Sequence, residues 1–171
     1  MNKSSFSSIL SITFIFLLAS TKLFSMHEKT RYTLDNNFFV EHECLSIDDD
    51  GDFLGDDESI QNFQLTLFSS TKEKIGYVCF EINRESNDSE ITLLGILKEH
   101  HKRQGHATTL LKLVFDILKR HEIPQVVLEV THENIQAQNL YAKLGFVPIE
   151  NQETNSKSNQ EKRLKLIKIL Q

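Results

Sequence analysis

The sequence predicts an α/β domain built around a mixed sheet. Three observations carry that expectation. The first half of the chain alternates strand-like runs with short polar turns. The second half reads strand, helix, strand, helix, strand. Between its two helical stretches lies "QVVLEV" (Gln125 to Val130), a nearly continuous apolar run of the kind a covered parallel strand needs. A chain of 171 residues with 39% hydrophobic content suits one domain with a sizeable core.

Taken in order, residues 1–25 are set apart. An apolar run from Ile9 to Ala19 follows one lysine, Lys3. It has signal-peptide length and is short for a membrane span. Lys22, Lys29 and Arg31 follow the run, a bias that would keep the domain cytoplasmic if the run were an anchor. A third reading starts translation at Met26. The domain proper is expected over residues 26–171.

"NNFFVEHECLSI" (Asn36 to Ile47) is strand-like, and an Asp-rich loop follows it. "FQLTLFSS" and "KIGYVCFEI" flank a polar turn at Thr71–Lys74, the spacing of a hairpin. "EITLLGIL" (Glu90 to Leu97) is a further strand, and Gly95 inside it points to a bulge or a close backbone approach. A helix is expected from about Gly105 to His121. Ala107, Leu110, Leu111, Val114 and Leu118 fall on one face of it, and Ile123-Pro124 ends it. Asn134 starts a second helix, which Gly145 closes as a C′ residue. "FVPIE" and "KRLKLIKIL" are the last strands, with "NQETNSKSNQ" (Asn151 to Gln160) expected as a polar loop.

Composition excludes several functions. A net charge of -5 argues against a general nucleic-acid binder, which needs a basic face. Two cysteines, Cys44 and Cys79, are too few for a disulfide scaffold and are expected as buried thiols. No internal repeat is visible.

The chemistry concentrates at "HHKRQGHATTLL" (His100 to Leu111), where a strand ends and a helix begins. The first N–H groups of a helix lack partners there, and the helix dipole favours negative charge. Lys102 and Arg103 add charge, and Gly105 lets the backbone approach a ligand, so the stretch suits a phosphate. It is neither a Walker A loop nor GxGxxG.

"KRQGHA" resembles the R/Q-x-x-G-x-G/A loop of the GCN5-related N-acetyltransferase (GNAT) family, with Lys102 where Arg or Gln is usual. "LEVTHENIQAQNLYAKLGF" resembles the same family's LEV…N-x-x-A-x-x-LY-x-x-x-GF segment, in order and at family spacing. The resemblance covers about Ile75 to Glu150. It implies a mixed, mostly antiparallel sheet with flanking helices and a splayed parallel strand pair at an acetyl-CoA site. The loop Lys102, Arg103, Gln104, Gly105, His106 and Ala107 would grip the pyrophosphate. Ile96 and Leu97, with Lys98 just beyond, match positions along the pantetheine arm. Asn134 has two readings, a helix N-cap and a pantetheine contact.

The implied activity is transfer of an acetyl group from acetyl-CoA to a primary amine: a protein N-terminus, a lysine or a small amine. Tyr141 matches the family's general acid toward the CoA sulfur, against a role in packing alone. Glu129 matches a general base of members that acetylate protein N-termini. An apolar strand end would desolvate its carboxylate, which suits a base, whereas strand alternation would allow a solvent-facing role. The rival function is a non-catalytic acyl-CoA-binding module. No metal is expected. His100, His101 and His106 lie without a carboxylate at ligand spacing, and "SIDDDGDFLGDD" (Ser46 to Asp57) matches a calcium loop only in part, between strands. About a dozen Asp-rich residues also stand where the family has two acceptor-side helices. Those helices are expected to be reduced, leaving an open, negative site that suits a cationic amine. Acetyl-CoA is an intracellular donor, so a cytoplasmic catalytic domain is expected, with anchored and exported forms left open by the leader.

Overall fold

The computed structural model describes residues 30–34, 38–45, 59–155 and 162–170. The leader and the acidic Ser46–Asp57 segment lie outside the described residues, and so does the place where reduced acceptor-side helices were expected. The strands are β1 (Thr30–Thr33), β2 (Phe38–Cys44), β3 (Ile60–Ser69), β4 (Lys74–Asn83), β5 (Asp88–Ile96), β6 (Gln125–Thr131), β7 (Val147–Asn155) and β8 (Lys162–Ile169). The helices are α1 (His106–Arg120) and α2 (Ile135–Lys143), with a 3-10 turn at Glu99–His101. The strands form one mixed sheet in the order β1-β2-β3-β4-β5-β6-β8-β7. Among the described strands every neighbouring pair is antiparallel except β5 and β6, which run parallel.

Alternation along the strands sorts side chains onto two faces. Phe63, Leu65 and Leu67 of β3, Val78, Phe80 and Ile82 of β4, and Val126, Leu128 and Val130 of β6 are buried on one face. There α1 lays Leu110, Leu111, Val114 and Leu118 against β3, β4 and β5. That stripe matches the expected one except Ala107, which is half-buried because it sits at the rim of a cleft. Phe115 of α1 meets Phe146, whose ring in turn meets Tyr141 of α2, so both helices share this face. α2 ends in a Schellman motif. Gly145 adopts φ 86°, its N–H donates to the Ala142 carbonyl, and the Phe146 N–H donates to Tyr141.

Two expectations need correction, and one strand was not anticipated. The polar run from Asn151 begins as strand, because β7 continues to Asn155 with a register irregularity between Pro148 and Glu153. As the sheet's edge it needs ladder bonds to β8 alone, not an apolar pattern. β1 has no sequence signature, being four residues long and paired with β2 at the sheet edge. Cys44 and Cys79 are free thiols but only half-buried. Cys79 lies on the sheet face away from α1, with its Sγ 3.6 Å from Gln64 Oε1.

His42 is a polar residue inside the core, 2% exposed and stacked on Phe63 at 5.5 Å. Burial, helped by the charges of His121 and Arg120, pushes its pKa down to about 4. The unfolded chain takes up this proton near 6.5, whereas the folded chain resists until about 4. The unfolded state therefore binds more protons between those values, and stability falls as pH drops through that window. Urea midpoints from pH 7 to 4 should show a loss approaching roughly 3 kcal/mol. His42→Leu should remove that part of the slope.

Candidate active site

The site begins where the parallel pair comes apart. β5 and β6 pair only at Glu90–Val127 and Ile91–Leu128, with the buried Ser89 hydroxyl donating to the Gln125 carbonyl below them. The next residue, Thr92, is extra. Ile91 faces Phe80 of β4 and Leu93 already faces Cys79, which is the register of a β-bulge. A bulge bends and twists its strand. Here it coincides with the end of pairing, and a wedge opens between β5 and β6.

The bulge also fixes which backbone groups face the wedge. The Leu97 N–H donates to the Ile75 carbonyl on the β4 side. Gly95 shares that orientation by alternation. Leu94 and Ile96 belong to the intervening pairs and direct their N–H and C=O groups toward the wedge. Gly95 is not the bulge. It lies beneath the Tyr77 ring, which a β-carbon would meet at 3.3 Å. Gly76 is tighter, since a β-carbon there would stand 2.6 Å from the Gly95 carbonyl oxygen and from Ile96 Cδ1.

The chain then turns through Glu99–His101 into a loop with two left-handed residues, Arg103 (φ 62°) and Gly105 (φ 87°). The Gln104 side chain closes the loop on the His100 carbonyl at 2.6 Å. The Thr109 N–H makes the first α1 bond, to Gly105. From Arg103 to Thr108 no backbone N–H has an acceptor among the described residues. Six successive donors thus stand open at the positive end of a helix, an arrangement suited to an anion. Lys102 is paired with Glu99 at 2.6 Å, while Arg103 forms no ion pair among the described residues.

Wedge and loop border one cleft of about 590 Å³. Of the residues singled out from the sequence, Ile96, Lys102, Arg103, Gly105, His106 and Ala107 line it, and so do Asn134 and Tyr141. Leu97, Lys98, Gln104 and Glu129 do not. Leu97 has given its N–H to Ile75, Lys98 is bound to Glu73 at 2.6 Å, and Gln104 braces the loop from behind. Asn134 is an N-cap whose side-chain oxygen accepts from the Ala137 N–H at 3.1 Å, while its exposed side still borders the cleft. The Tyr141 ring is 7% exposed and its hydroxyl has no hydrogen bond among the described residues. Burial raises its pKa above the ordinary value of 10.

Glu129 lies across the sheet from Tyr141. The apolar neighbours Leu128 and Val130 point toward the helices, so alternation turns Glu129 to the opposite face. It is half-buried there, 3.8 Å from Arg163. Glu90 shares that face and carries no sequence motif that singled it out. Burial, reinforced by Glu81, Glu129 and Asp88 and opposed by Lys165, raises its pKa above the usual carboxylate range. Leu94, with its backbone facing the wedge, is a second position that the sequence did not mark. The wedge joins the two faces, one bearing the Arg103–Thr108 loop and Tyr141, the other bearing Glu90 and Glu129.

The model of the "Acetyltransferase (GNAT) family" matches residues 23–146. The chain belongs to this acetyltransferase family. No curated protein sequence matches it. Solved acetyltransferases share its fold. The ribosomal-protein-S18-alanine N-acetyltransferase of Escherichia coli aligns with TM-score 0.54 and 21% identity, over 67% of this chain and 71% of that one. Nourseothricin acetyltransferase aligns with TM-score 0.56 and 15% identity, over 85% and 92%. A spermidine N-acetyltransferase of Vibrio cholerae, in complex with CoA and spermine, gives TM-score 0.55 and 23% identity, over 67% and 68%. The GNAT family uses acetyl-CoA, and a mostly antiparallel sheet with one parallel pair is the architecture observed in this member.

Gly105 is required here by backbone conformation and not by space. A β-carbon at this glycine would meet nothing within 4 Å, yet φ 87° is left-handed. Gly105→Ala should therefore cost about 1–2 kcal/mol by denaturant unfolding. Gly105→Asn, which tolerates this region better, should cost less.

Proposed function

We propose that this chain transfers an acetyl group from acetyl-CoA to a primary amine, and that the sheet face bearing Glu90 and Glu129 favours a cationic acceptor. The observation that carries the reading is the single cleft that joins six unpaired N–H donors, an unpaired strand edge and the Tyr141 hydroxyl. We also propose that the domain works in the cytoplasm, where the donor is found, as one unit over residues 26–171.

The residues fit the donor. The N–H groups of Arg103 to Thr108 would bind the pyrophosphate, with Arg103 supplying charge. Lys102 contributes less because Glu99 offsets it. The free backbone groups of Leu94 and Ile96 would pair with the amide-bearing pantetheine arm as a neighbouring strand does. The thioester supplies an activated acetyl group. A backbone N–H in the wedge, with Leu94 the best placed, would polarise its carbonyl. The amine nitrogen bonds to the acetyl carbon as the carbon–sulfur bond breaks. The amine proton passes to a carboxylate on the opposite face, and the Tyr141 proton goes to the departing sulfur. Two carboxylates stand there, Glu129 and Glu90. Glu90 has the raised pKa that suits a base, while Glu129 is engaged by Arg163.

The acceptor reading rests on charge. Glu81, Glu90 and Glu129 share the face that no described helix covers, countered in part by Lys165 and Arg163. Two of the structural neighbours are named for their acceptors, an alanine of ribosomal protein S18 and spermidine. A panel of peptide N-termini, lysine peptides and polyamines tests the acceptor. Tight acetyl-CoA binding with no thiol release on any amine would favour an acyl-CoA-binding module instead.

Gly105→Glu would aim a carboxylate into the cleft from a position with room for it. Calorimetry should show acetyl-CoA affinity lost by far more than in Gly105→Ala, with the far-ultraviolet circular dichroism unchanged. Equal losses in the two variants would attribute the effect to strain and remove the phosphate assignment.

Tyr141→Phe should lower kcat by roughly 10²–10⁴ with little change in acetyl-CoA affinity. Full activity would leave Tyr141 as packing. The base must be deprotonated to act, so activity should fall as pH drops through its pKa, and for Glu90 that limb lies above the usual 4.5. Glu90→Gln and Glu129→Gln can be compared across pH on one acceptor. The variant that loses the acidic limb identifies the base. Two parent-like profiles would move the proton to water.

A further inference from the structure

The sequence offers the histidines at positions 100, 101 and 106 no carboxylate at ligand spacing. The fold supplies one. The β3–β4 turn carries Glu73 to the 3-10 turn that leads into the anion loop. One ligand atom each from Glu73, His100 and His101 lies within 4.8 Å of the others. The two imidazole centroids are 4.1 Å apart.

Two further features bear on what this cluster is for. His101 Nε2 is buried and has no hydrogen-bond partner, although Glu73 Oε1 stands 3.5 Å from it. A buried polar atom left without a partner is costly and calls for an explanation. That 3.5 Å is close to the separation of two ligands on one tetrahedral ion, about 3.3 Å when each bond is 2.0–2.1 Å.

We propose that Glu73, His100 and His101 form a binding site for a divalent metal ion of the zinc class, which clamps the β3–β4 turn to the turn preceding the anion loop. Two imidazoles and one carboxylate form a borderline donor set suited to zinc or a neighbouring first-row ion, not to calcium or magnesium. Three protein ligands leave a fourth position for water or an anion. The ion would take up the orphaned His101 nitrogen and replace the Lys98 ammonium as the charge opposite Glu73. Lys98 is therefore a competitor for the site, 2.6 Å from the same carboxylate. His101 also borders the donor cleft, so an ion there would stiffen the root of the loop. This site is separate from the transfer chemistry and does not depend on it.

The test is Zn²⁺ titrated by calorimetry into the metal-free full-length protein, with Co²⁺ as a spectroscopic probe. One saturable ion should bind, and Co²⁺ should give the intense visible bands of a low-coordinate site. Glu73→Gln and His100→Ala should each weaken binding by at least about tenfold. His132→Ala, at an exposed histidine outside the cluster, should not. Lys98→Met should tighten binding by freeing the carboxylate, a gain that misfolding cannot imitate. Absence of saturable binding would overturn the proposal, as would an affinity unchanged in Glu73→Gln and His100→Ala or lowered in Lys98→Met.

Discussion

The extra residue at Thr92 is the constraint on which the site depends. Below it, β5 and β6 are held by two paired positions and the Ser89–Gln125 bond. Above it the bulge turns β5, and pairing cannot continue. An unpaired strand edge is normally a liability, because its N–H and C=O groups seek partners. Here the edge opens into a cleft between α1 and α2, so Leu94 and Ile96 remain available to a ligand and not to another chain. The same inserted residue sends Leu93 to one face and Leu94 to the other.

Rigid packing on one face holds this gap in place. α1 is anchored by Leu110, Leu111, Val114 and Leu118, all at 0% exposure, and its first turn presents the open N–H groups. α2 is anchored more lightly, through Tyr141 packed against Phe146. The buried tyrosine is therefore both a structural contact and the group whose hydroxyl reaches the cleft. Burial raises its pKa further above 10, so its packing is compatible with a protonated hydroxyl.

The opposite face is organised differently. It carries Tyr77, Cys79, Glu81, Glu90 and Glu129, and no helix among the described residues covers it. Glu90 is raised in pKa by burial and by the acids around it, with Lys165 opposing. The wedge joins the two faces and lies between the open N–H groups of the Arg103–Thr108 loop and the acidic side chains. That separation gives a group held in the cleft a different electrostatic surrounding at each end.

Local chemistry was legible in the sequence. The periodicity of His106 to Arg120, the C′ glycine at Gly145, the hairpin around Thr71–Lys74 and the loop from Lys102 to Ala107 each rest on residues a few positions apart. Such features follow from backbone sterics and helix geometry, which act over one or two turns. What needed the tertiary structure involves residues distant in sequence or a parity that one inserted residue reverses. The Thr92 bulge decided that Leu94 and Ile96 face the wedge while Leu97 bonds to Ile75. The pairing of β6 with β5 and β8 set Glu129 beside Arg163 and brought Glu90 near it. A turn twenty-seven positions away in the chain placed Glu73 beside His100. The sequence by itself determined the family, the helices and the place of the loop between β5 and α1. Only the folded sheet decided which side chains meet, because register and strand order are collective properties of the whole chain.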